Sequence, residues 1–178
     1  MEPRHRLHIL KSAALAAAVL LAGTAAHARV LLSQKDALAL AFPGGTFERK
    51  TAFLTDAQAA AAEKAAKAKL ESKVWTYYVA GSTAAYFESH PVRTMNETVM
   101  VVVREGKVAF VEILSFSEPE DYMASKRWLA QLEGRPLDDE LALRRGLRGI
   151  TGATLTAEAV SRAVRRVLAV HEVIHSRP

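Results

Sequence analysis

The stretch TVMVVVREGKVAFVEILSF, residues 98–116, decides the fold of this chain. It contains two runs rich in β-branched and other apolar residues, 98–104 and 107–116, and the dipeptide Glu105-Gly106 lies between them. Such runs favour strands, and a Gly-containing dipeptide between two of them is typical of a tight hairpin. The stretch therefore predicts two neighbouring antiparallel strands.

Two further strands are predicted just before this hairpin. Residues 74–79 (VWTYYV) are aromatic and β-branched, and a turn at Gly81-Ser82 separates them from a short run at 84–88. Four strands in this order, joined by short turns, indicate a twisted antiparallel sheet.

Helices are predicted before and after the strands in the sequence. Their expected positions are 31–42, from a capping box at 55–58 (TDAQ) to about Leu70, 122–133, and from just after Thr156 towards the C-terminus. Glu63 and Lys67 are four residues apart and should support the second helix as an ion pair. The last helix is amphipathic, with an apolar face made of Val160, Ala163, Val164, Val167, Leu168 and Ile174. We therefore predict a single α+β domain in which helices pack on an antiparallel sheet.

Residues 1–28 have the pattern of a secretory signal peptide. Arg4, Arg6 and Lys11 precede a short apolar run, and Ala26-His27-Ala28 offers small residues at the two positions that signal peptidase reads. The apolar run is shorter than the roughly 20 residues that span a bilayer. We expect export to the periplasm or another extracytoplasmic compartment and a mature domain at 29–178, although an uncleaved leader serving as an anchor is an alternative.

Composition narrows the function classes. The chain has no cysteine, so disulfides, thiolate nucleophiles and iron–sulfur ligation are excluded. The formal net charge of +5 is modest and spread along the chain, so nucleic acid is not an expected partner. The one local group of basic residues is Arg162, Arg165 and Arg166, for which a solvated helix face is the expected explanation.

The motif TGATLT, residues 151–156, leads into the last helix. The first turn of a helix has unpaired backbone N–H groups and the positive end of the helix dipole, which together favour an anion. Gly152 allows close approach to the backbone, and Thr156 can cap the helix or donate to a phosphate. Spacing alone does not distinguish this phosphate site from an ordinary helix cap.

Residues 150–167 resemble the C-terminal signature of the FMN-binding domain family, whose S/T-G-A-T motif holds flavin through a phosphoester to threonine. The segments VRTMNET at 92–98, FSEPEDY at 116–122 and RWL at 127–129 are similar to the exported single-domain branch of that family. The resemblance covers most of residues 74–174. The family includes the peripheral flavin subunits of the sodium-pumping NADH:quinone reductase and of Rnf complexes.

The resemblance implies a set of FMN-binding residues. Thr154 matches the flavinylated position, and the surrounding motif residues are Thr151, Gly152, Ala153, Leu155 and Thr156. Glu118 matches a glutamate that related subunits place beside the flavin. Arg148 stands where the family usually has an aspartate, and it could instead pair with the phosphate of a non-covalently held FMN. Weaker candidates are Arg93, Tyr122 and Trp128, for which a surface ion pair or core packing is the simpler explanation.

The implied activity is electron transfer rather than conversion of a bound substrate. The implied partners are a flavin transferase during maturation and membrane-associated redox proteins, with membrane contact only through them or through an uncleaved leader. Arg148 also supports an alternative, an exported binding or assembly module that keeps the fold without flavin.

A minor alternative comes from HEVIH at 171–175, which matches the H-E-x-x-H signature of zinc proteases. Two histidines four apart on a helix can share a zinc ion, but a catalytic site needs a third protein ligand. That ligand usually follows downstream, and His90 is the one other histidine after the leader. Histidines near a helix C-terminus also interact favourably with the dipole, so no metal site is predicted.

Overall fold

The computed structural model describes residues 29–176, and the predicted signal peptide at 1–28 lies outside them. A six-stranded sheet has the order β1-β6-β5-β4-β3-β2, and all of its neighbouring strands are antiparallel. The strands are β1 (Arg29–Val30), β2 (Glu48–Phe53), β3 (Val74–Ala80), β4 (Thr83–Pro91), β5 (Asn96–Arg104) and β6 (Lys107–Phe116). The α-helices are α1 (Gln34–Ala41), α2 (Asp56–Ala66), α3 (Lys126–Leu129) and α4 (Thr154–His175). None of the helices in this part of the chain has the length and hydropathy of a transmembrane span.

The predicted α+β fold is confirmed, and the four predicted strands correspond to β3–β6. Glu105 and Gly106 form the hairpin with positive φ angles of 52° and 73°. The edge strands β1 and β2 were not predicted. The β2 sequence ERKTAF is almost entirely exposed and has no apolar alternation, a composition that protects a sheet edge from further pairing.

The first two helices are shorter than predicted. Helix α1 begins only after Ser33, whose hydroxyl accepts a hydrogen bond from the Asp36 amide. The capping box of α2 is confirmed, but the helix ends at Ala66 because Lys67 adopts a left-handed conformation with a φ of 55°. The expected Glu63–Lys67 pair is therefore wrong, and Glu63 instead binds Lys69.

The continuous helix predicted at 122–133 is wrong. A 3₁₀ turn at Glu120–Tyr122, the short α3 and a second 3₁₀ turn at Ala130–Leu132 occupy this region. Met123 is extended, and Ser125 starts a new helix by accepting a hydrogen bond from the Trp128 amide. An extended residue followed by a cap interrupts the helical hydrogen bonds.

The sheet is covered by helices on both faces, and β5 is its buried centre. Val99, Val101 and Val103 face the layer of α2 and α4, whereas Met100 and Val102 face α1. All five are fully buried, as expected for a central strand whose two faces are both covered.

Helix α4 is the long element that crosses the sheet. It begins at Thr154, three residues earlier than predicted. The predicted apolar face is buried at Val160, Ala163, Val164, Val167 and Leu168, and Ile174 is partly buried.

Two of the three arginines on α4 are buried, which corrects the expected solvated face. Arg165 donates hydrogen bonds to the carbonyls of Ala65 and Ala66 at the end of α2, and to that of Asp138. Arg162 alone is exposed, near Glu158. Arg165 therefore binds helix α2 and the 138–141 segment to α4, because its planar guanidinium can serve several carbonyls at once.

We predict that Arg165→Ala lowers the free energy of unfolding by about 2–4 kcal/mol, because it leaves buried carbonyls without donors. Urea denaturation followed by circular dichroism would measure the change. Arg162→Ala on the same helix is the control and should change stability by less than about 0.5 kcal/mol. Equal effects of the two substitutions would contradict the structural role given to Arg165.

A second buried group of charges lies between α4 and the sheet. It comprises Glu88 and His90 of β4, Glu97 of β5 and Arg166 of α4, and we call it the buried ionic cluster. Arg166 donates to Glu88 through Nε and Nη2. The two ring nitrogens of His90 lie 2.6 Å from Glu88 Oε2 and 3.2 Å from Glu97 Oε2. With His90 protonated, two cations balance two carboxylates.

Burial alone would lower the pKa of His90, but its hydrogen bonds to Glu88 and Glu97 outweigh burial and raise the pKa to about 9. For Glu88, burial opposes ionisation, and the contacts with His90 and Arg166 nevertheless lower the pKa. The folded protein therefore holds the His90 proton more tightly than the unfolded chain does, and it releases the Glu88 proton more readily.

We predict that stability falls by a few kcal/mol between about pH 6.5 and pH 9, since the contribution of His90 is complete below its ordinary pKa of 6.5 and lost as the pH rises through about 9. Urea denaturation at several pH values would measure this slope. His90→Gln should be less stable at pH 6 and should show a much flatter dependence over the same range. A wild-type curve that is flat from pH 6.5 to 9 would show that His90 is not protonated in the folded state.

Candidate functional site

The N-terminus of α4 is open to solvent at the predicted motif. Gly152 has a φ of +81°, and a side chain built there would meet no atom within 4 Å. The N-cap residue is Ala153, which offers no side-chain oxygen to the first amides of the helix. The first turn of this 22-residue helix therefore has no capping side chain, which leaves its donors and dipole for an anion.

The three threonines of the motif have different environments. Thr154 is exposed, is the first residue of α4 and lines a cavity of about 280 Å³. Thr151 is exposed but does not line that cavity. Thr156 is 1% exposed, and its hydroxyl donates to the Tyr122 carbonyl at 2.7 Å. Thr156 does not cap the helix, because the helix begins two residues before it. Its hydroxyl hydrogen is donated to the Tyr122 carbonyl rather than left free for a phosphate.

The remaining motif residues divide between core and surface. Ala153 is buried, whereas Leu155 is 50% exposed and lines the cavity. Across from the motif, the cavity is lined by Val92 and Arg93 of the β4–β5 loop, by Glu118 and by Tyr122. The structure thus brings Glu118 and Thr154 to one cavity.

Glu118 holds the β4–β5 loop in place. Its Oε1 atom accepts hydrogen bonds from the Thr94 amide at 2.7 Å, the Met95 amide at 2.9 Å and the Thr94 hydroxyl at 3.1 Å. The two backbone hydrogen bonds, with the nearby Arg93, lower the pKa of Glu118, so it is a carboxylate at neutral pH. Glu118 thereby positions Arg93 in the cavity wall.

Arg148 does not line the cavity. Its amide donates to Gln131 Oε1 at 3.0 Å, and its carbonyl accepts from the Trp128 indole at 2.6 Å. These contacts fix the backbone so that the exposed Arg148 lines a neighbouring depression with Trp128 and Gly149. The cation that does line the cavity is Arg93, which the sequence indicated as one of the weaker candidates.

The cavity fits one end of a phosphate-bearing ligand with an apolar body. Free helix amides and Arg93 provide for the charge, while Val92, Leu155 and Tyr122 provide apolar walls. About 280 Å³ lies near the lower limit for small-molecule sites, so a ligand of FMN size would be partly exposed. The fold and site together define an α+β domain with an anion-accepting cavity at the N-terminus of its longest helix.

The comparison with protein families identifies that domain. Residues 95–169 match the model of the FMN-binding domain family, a segment that runs from the β4–β5 loop through β5, β6 and α3 into α4. Residues 95–169 are therefore an FMN-binding domain, and FMN is the cofactor that this match supports. No curated protein and no solved structure shows significant similarity to the chain.

The H-E-x-x-H segment lies at the opposite end of α4. The rings of His171 and His175 are 4.2 Å apart, and His171 Nδ1 is 2.9 Å from the Tyr86 hydroxyl. Burial and the neighbouring His175 lower the pKa of His171 to about 4. Between residues 29 and 176 no group of three or more His, Asp or Glu side chains is arranged to hold a metal ion.

We predict that Glu118→Ala frees the β4–β5 loop and weakens FMN binding, because the amides of Thr94 and Met95 lose their acceptor. Hydrogen exchange measured by NMR should show faster exchange at these two amides and unchanged exchange in β5. Glu118→Gln is the matched control, since its carbonyl oxygen can still accept both hydrogen bonds. Unchanged protection in Glu118→Ala would show that another group holds the loop.

Proposed function

We propose that this protein is an exported flavoprotein that carries FMN covalently on Thr154 and transfers electrons outside the cytoplasm. The observation that carries this proposal is the selective environment of Thr154. Among the motif threonines it alone combines an exposed hydroxyl with a place in the cavity wall. A modifying enzyme can reach that hydroxyl, and a phosphate attached there lies at the N-terminus of α4.

Attachment requires an activated donor, because a free phosphate monoester does not esterify an alcohol in water. A flavin transferase would supply a phosphoanhydride of FMN, namely a flavin dinucleotide. The bond from Thr154 Oγ to the FMN phosphorus forms as the anhydride P–O bond breaks and the mononucleotide leaves. The hydroxyl proton passes to a base of the transferase. The product is a threonyl phosphodiester without oxidation or reduction.

The residues around the cavity would then hold the group. The first amides of α4 and the guanidinium of Arg93 are suited to balance the phosphodiester charge. Glu118 keeps Arg93 in place, and Leu155 and Tyr122 offer apolar surface to the ring system. FMN, when bound, supplies the one- and two-electron redox chemistry of its isoalloxazine ring.

The small size of the cavity supports electron transfer rather than substrate conversion. A partly exposed ring can approach a redox partner directly, whereas a substrate-converting site encloses its reactants and excludes water. We therefore propose membrane-associated redox proteins as partners. The signal-peptide pattern at 1–28 supports a location outside the cytoplasm.

The position of Arg148 bears on two alternatives. It lies outside the cavity beside Trp128, which does not favour its pairing with the phosphate of a non-covalently held FMN. It is exposed close to the motif, where a transferase would meet it in place of the usual aspartate. A failure of recognition there would leave FMN bound non-covalently or leave the alternative of a binding or assembly module.

We predict that Thr154→Val abolishes covalent flavin while Thr151→Val retains it. Each protein would be co-expressed with a flavin transferase in an exporting host and examined by in-gel fluorescence after denaturation. Intact mass should show wild type and Thr151→Val heavier by FMN less one water, and Thr154→Val at the unmodified mass. Each substitution replaces a hydroxyl with a methyl group of similar size and leaves the cavity shape nearly unchanged, so folding is not expected to differ.

The same samples separate the alternatives. Fluorescence that persists in Thr154→Val would show that another residue is esterified. Wild-type protein that is yellow but loses its colour on denaturation would establish non-covalent FMN. A colourless wild-type protein that also fails to bind added FMN would support the flavin-free module.

A further inference from the structure

The sheet divides into two parts at one end, between β3 and β4. These strands pair from Ala80↔Thr83 to Tyr77↔Tyr86 and no further. Beyond that point β3 remains paired with β2 as far as Val74, and β4 remains paired with β5 as far as Pro91. The edges of residues 74–76 and 87–89 therefore face each other without a shared ladder, and we call this opening the fork.

The fork contains a cleft of about 490 Å³, within the range of small-molecule sites. Side chains from both faces of the sheet reach it. Trp75 and Arg166 come from the α4 side, and Phe87 and Tyr78 come from the α1 side. The cleft therefore gives access, through the sheet, to the buried ionic cluster.

Arg166 is a buried cation that lines this cleft. It is 7% exposed, and Glu88 accepts from its Nε and Nη2 atoms. Within residues 29–176, its Nη1 atom has no hydrogen-bond acceptor. A guanidinium whose Nε and Nη2 groups are engaged can still bind a second carboxylate through Nη1, and burial strengthens that interaction.

The other charges of the cleft favour an anion over a cation. Glu88 is already neutralised by Arg166 and His90, so it has little attraction left for a cationic ligand. Glu71 and Arg49 are exposed at the rim, where water screens them. The Nη1 group of Arg166 has no acceptor among residues 29–176 and is not sealed from solvent, so a ligand in the cleft can reach it, and its natural complement is negative.

We propose that the fork is a second ligand site, which takes a small aromatic carboxylate. The carboxylate would meet Arg166 in the interior, and the aromatic body would lie between Trp75 and Phe87. The site is separate from the cavity beside Thr154, since the two share no lining residue. It stands independently of flavin attachment at Thr154.

The two tryptophans of the chain provide a readout that distinguishes the sites. The Trp75 indole donates to the Ser72 carbonyl beside the fork, and the Trp128 indole donates to the Arg148 carbonyl near the motif. Phenylacetate would be titrated into the natively purified protein while the two indole N–H signals are followed by NMR. We expect a saturable shift of the Trp75 signal, with a Kd below about 1 mM, and no shift of Trp128.

Two variants test the assignment of the site. Arg166→Lys keeps a cation beside Glu88 but loses the several N–H donors of the planar guanidinium, and it should weaken phenylacetate binding at least tenfold. Thr76→Tyr places bulk in the cleft without altering the ionic cluster, and it should abolish binding at unchanged thermal stability. Arg162→Gln, on an exposed part of the same helix, is the control and should bind like wild type.

Three results would overturn the proposal. The first is the absence of a saturable Trp75 shift in wild type, and the second is undiminished binding in Thr76→Tyr. The third is inorganic phosphate moving the Trp75 signal as strongly as phenylacetate, which would indicate a bare anion site without selection for an aromatic body. Flavin absorbance, measured separately on the same sample, reports on Thr154 and does not affect these outcomes.

Discussion

The packing of α4 across the sheet is the constraint on which the rest of the structure depends. Apolar burial holds the helix to the sheet, but an apolar face alone permits small rotations and shifts along the axis. Two adjacent arginines remove that freedom. Arg165 binds carbonyls at the end of α2, and Arg166 binds Glu88 of β4. Because these partners lie on different elements, both arginines can reach them in only one position of α4. This position places the N-terminus of α4 beside Glu118 and Arg93.

The sequence predicted the centre of the fold better than its edges. The runs at 74–79 and 98–116 were readily recognised because strands that are buried on one or both faces need apolar, β-branched residues. The strands β1 and β2 lie at the sheet edges, where side chains can remain exposed to solvent. The β2 sequence ERKTAF is accordingly polar and lacks the apolar periodicity that would mark a strand. The prediction of one helix at 122–133 was wrong for a different reason. Its composition favours one continuous helix, yet Ser125 caps the start of a new short helix, and this local cap competes with the longer helix.

The candidate site was predictable in type but not in its full membership. The motif at 151–156 indicated an anion site because its small residues and its place before a helix are local properties of the sequence. The roles of Thr156 and Arg148 depend on tertiary contacts, namely with the Tyr122 carbonyl and with Trp128. The buried state of Arg165 and Arg166 was missed for the same reason. A sequence shows a basic helix face, whereas only the fold shows which carbonyls and carboxylates lie against it.

Strand β4 connects the buried ionic cluster with the cavity beside Thr154. Glu88 and His90 face α4, and Val92 lines the cavity two residues further on. The β4–β5 loop is thus held at one end by the cluster and gripped by Glu118 from the other side. A cluster with two cations and two carboxylates is neutral, so β4 can lie against α4 without uncompensated charge. If His90 lost its proton, Glu88 would keep Arg166, but Glu97 would lose the cation that links it to β4, close to the point from which the cavity wall begins. The geometry around Thr154 therefore depends on a charge balance within the core as well as on the motif itself.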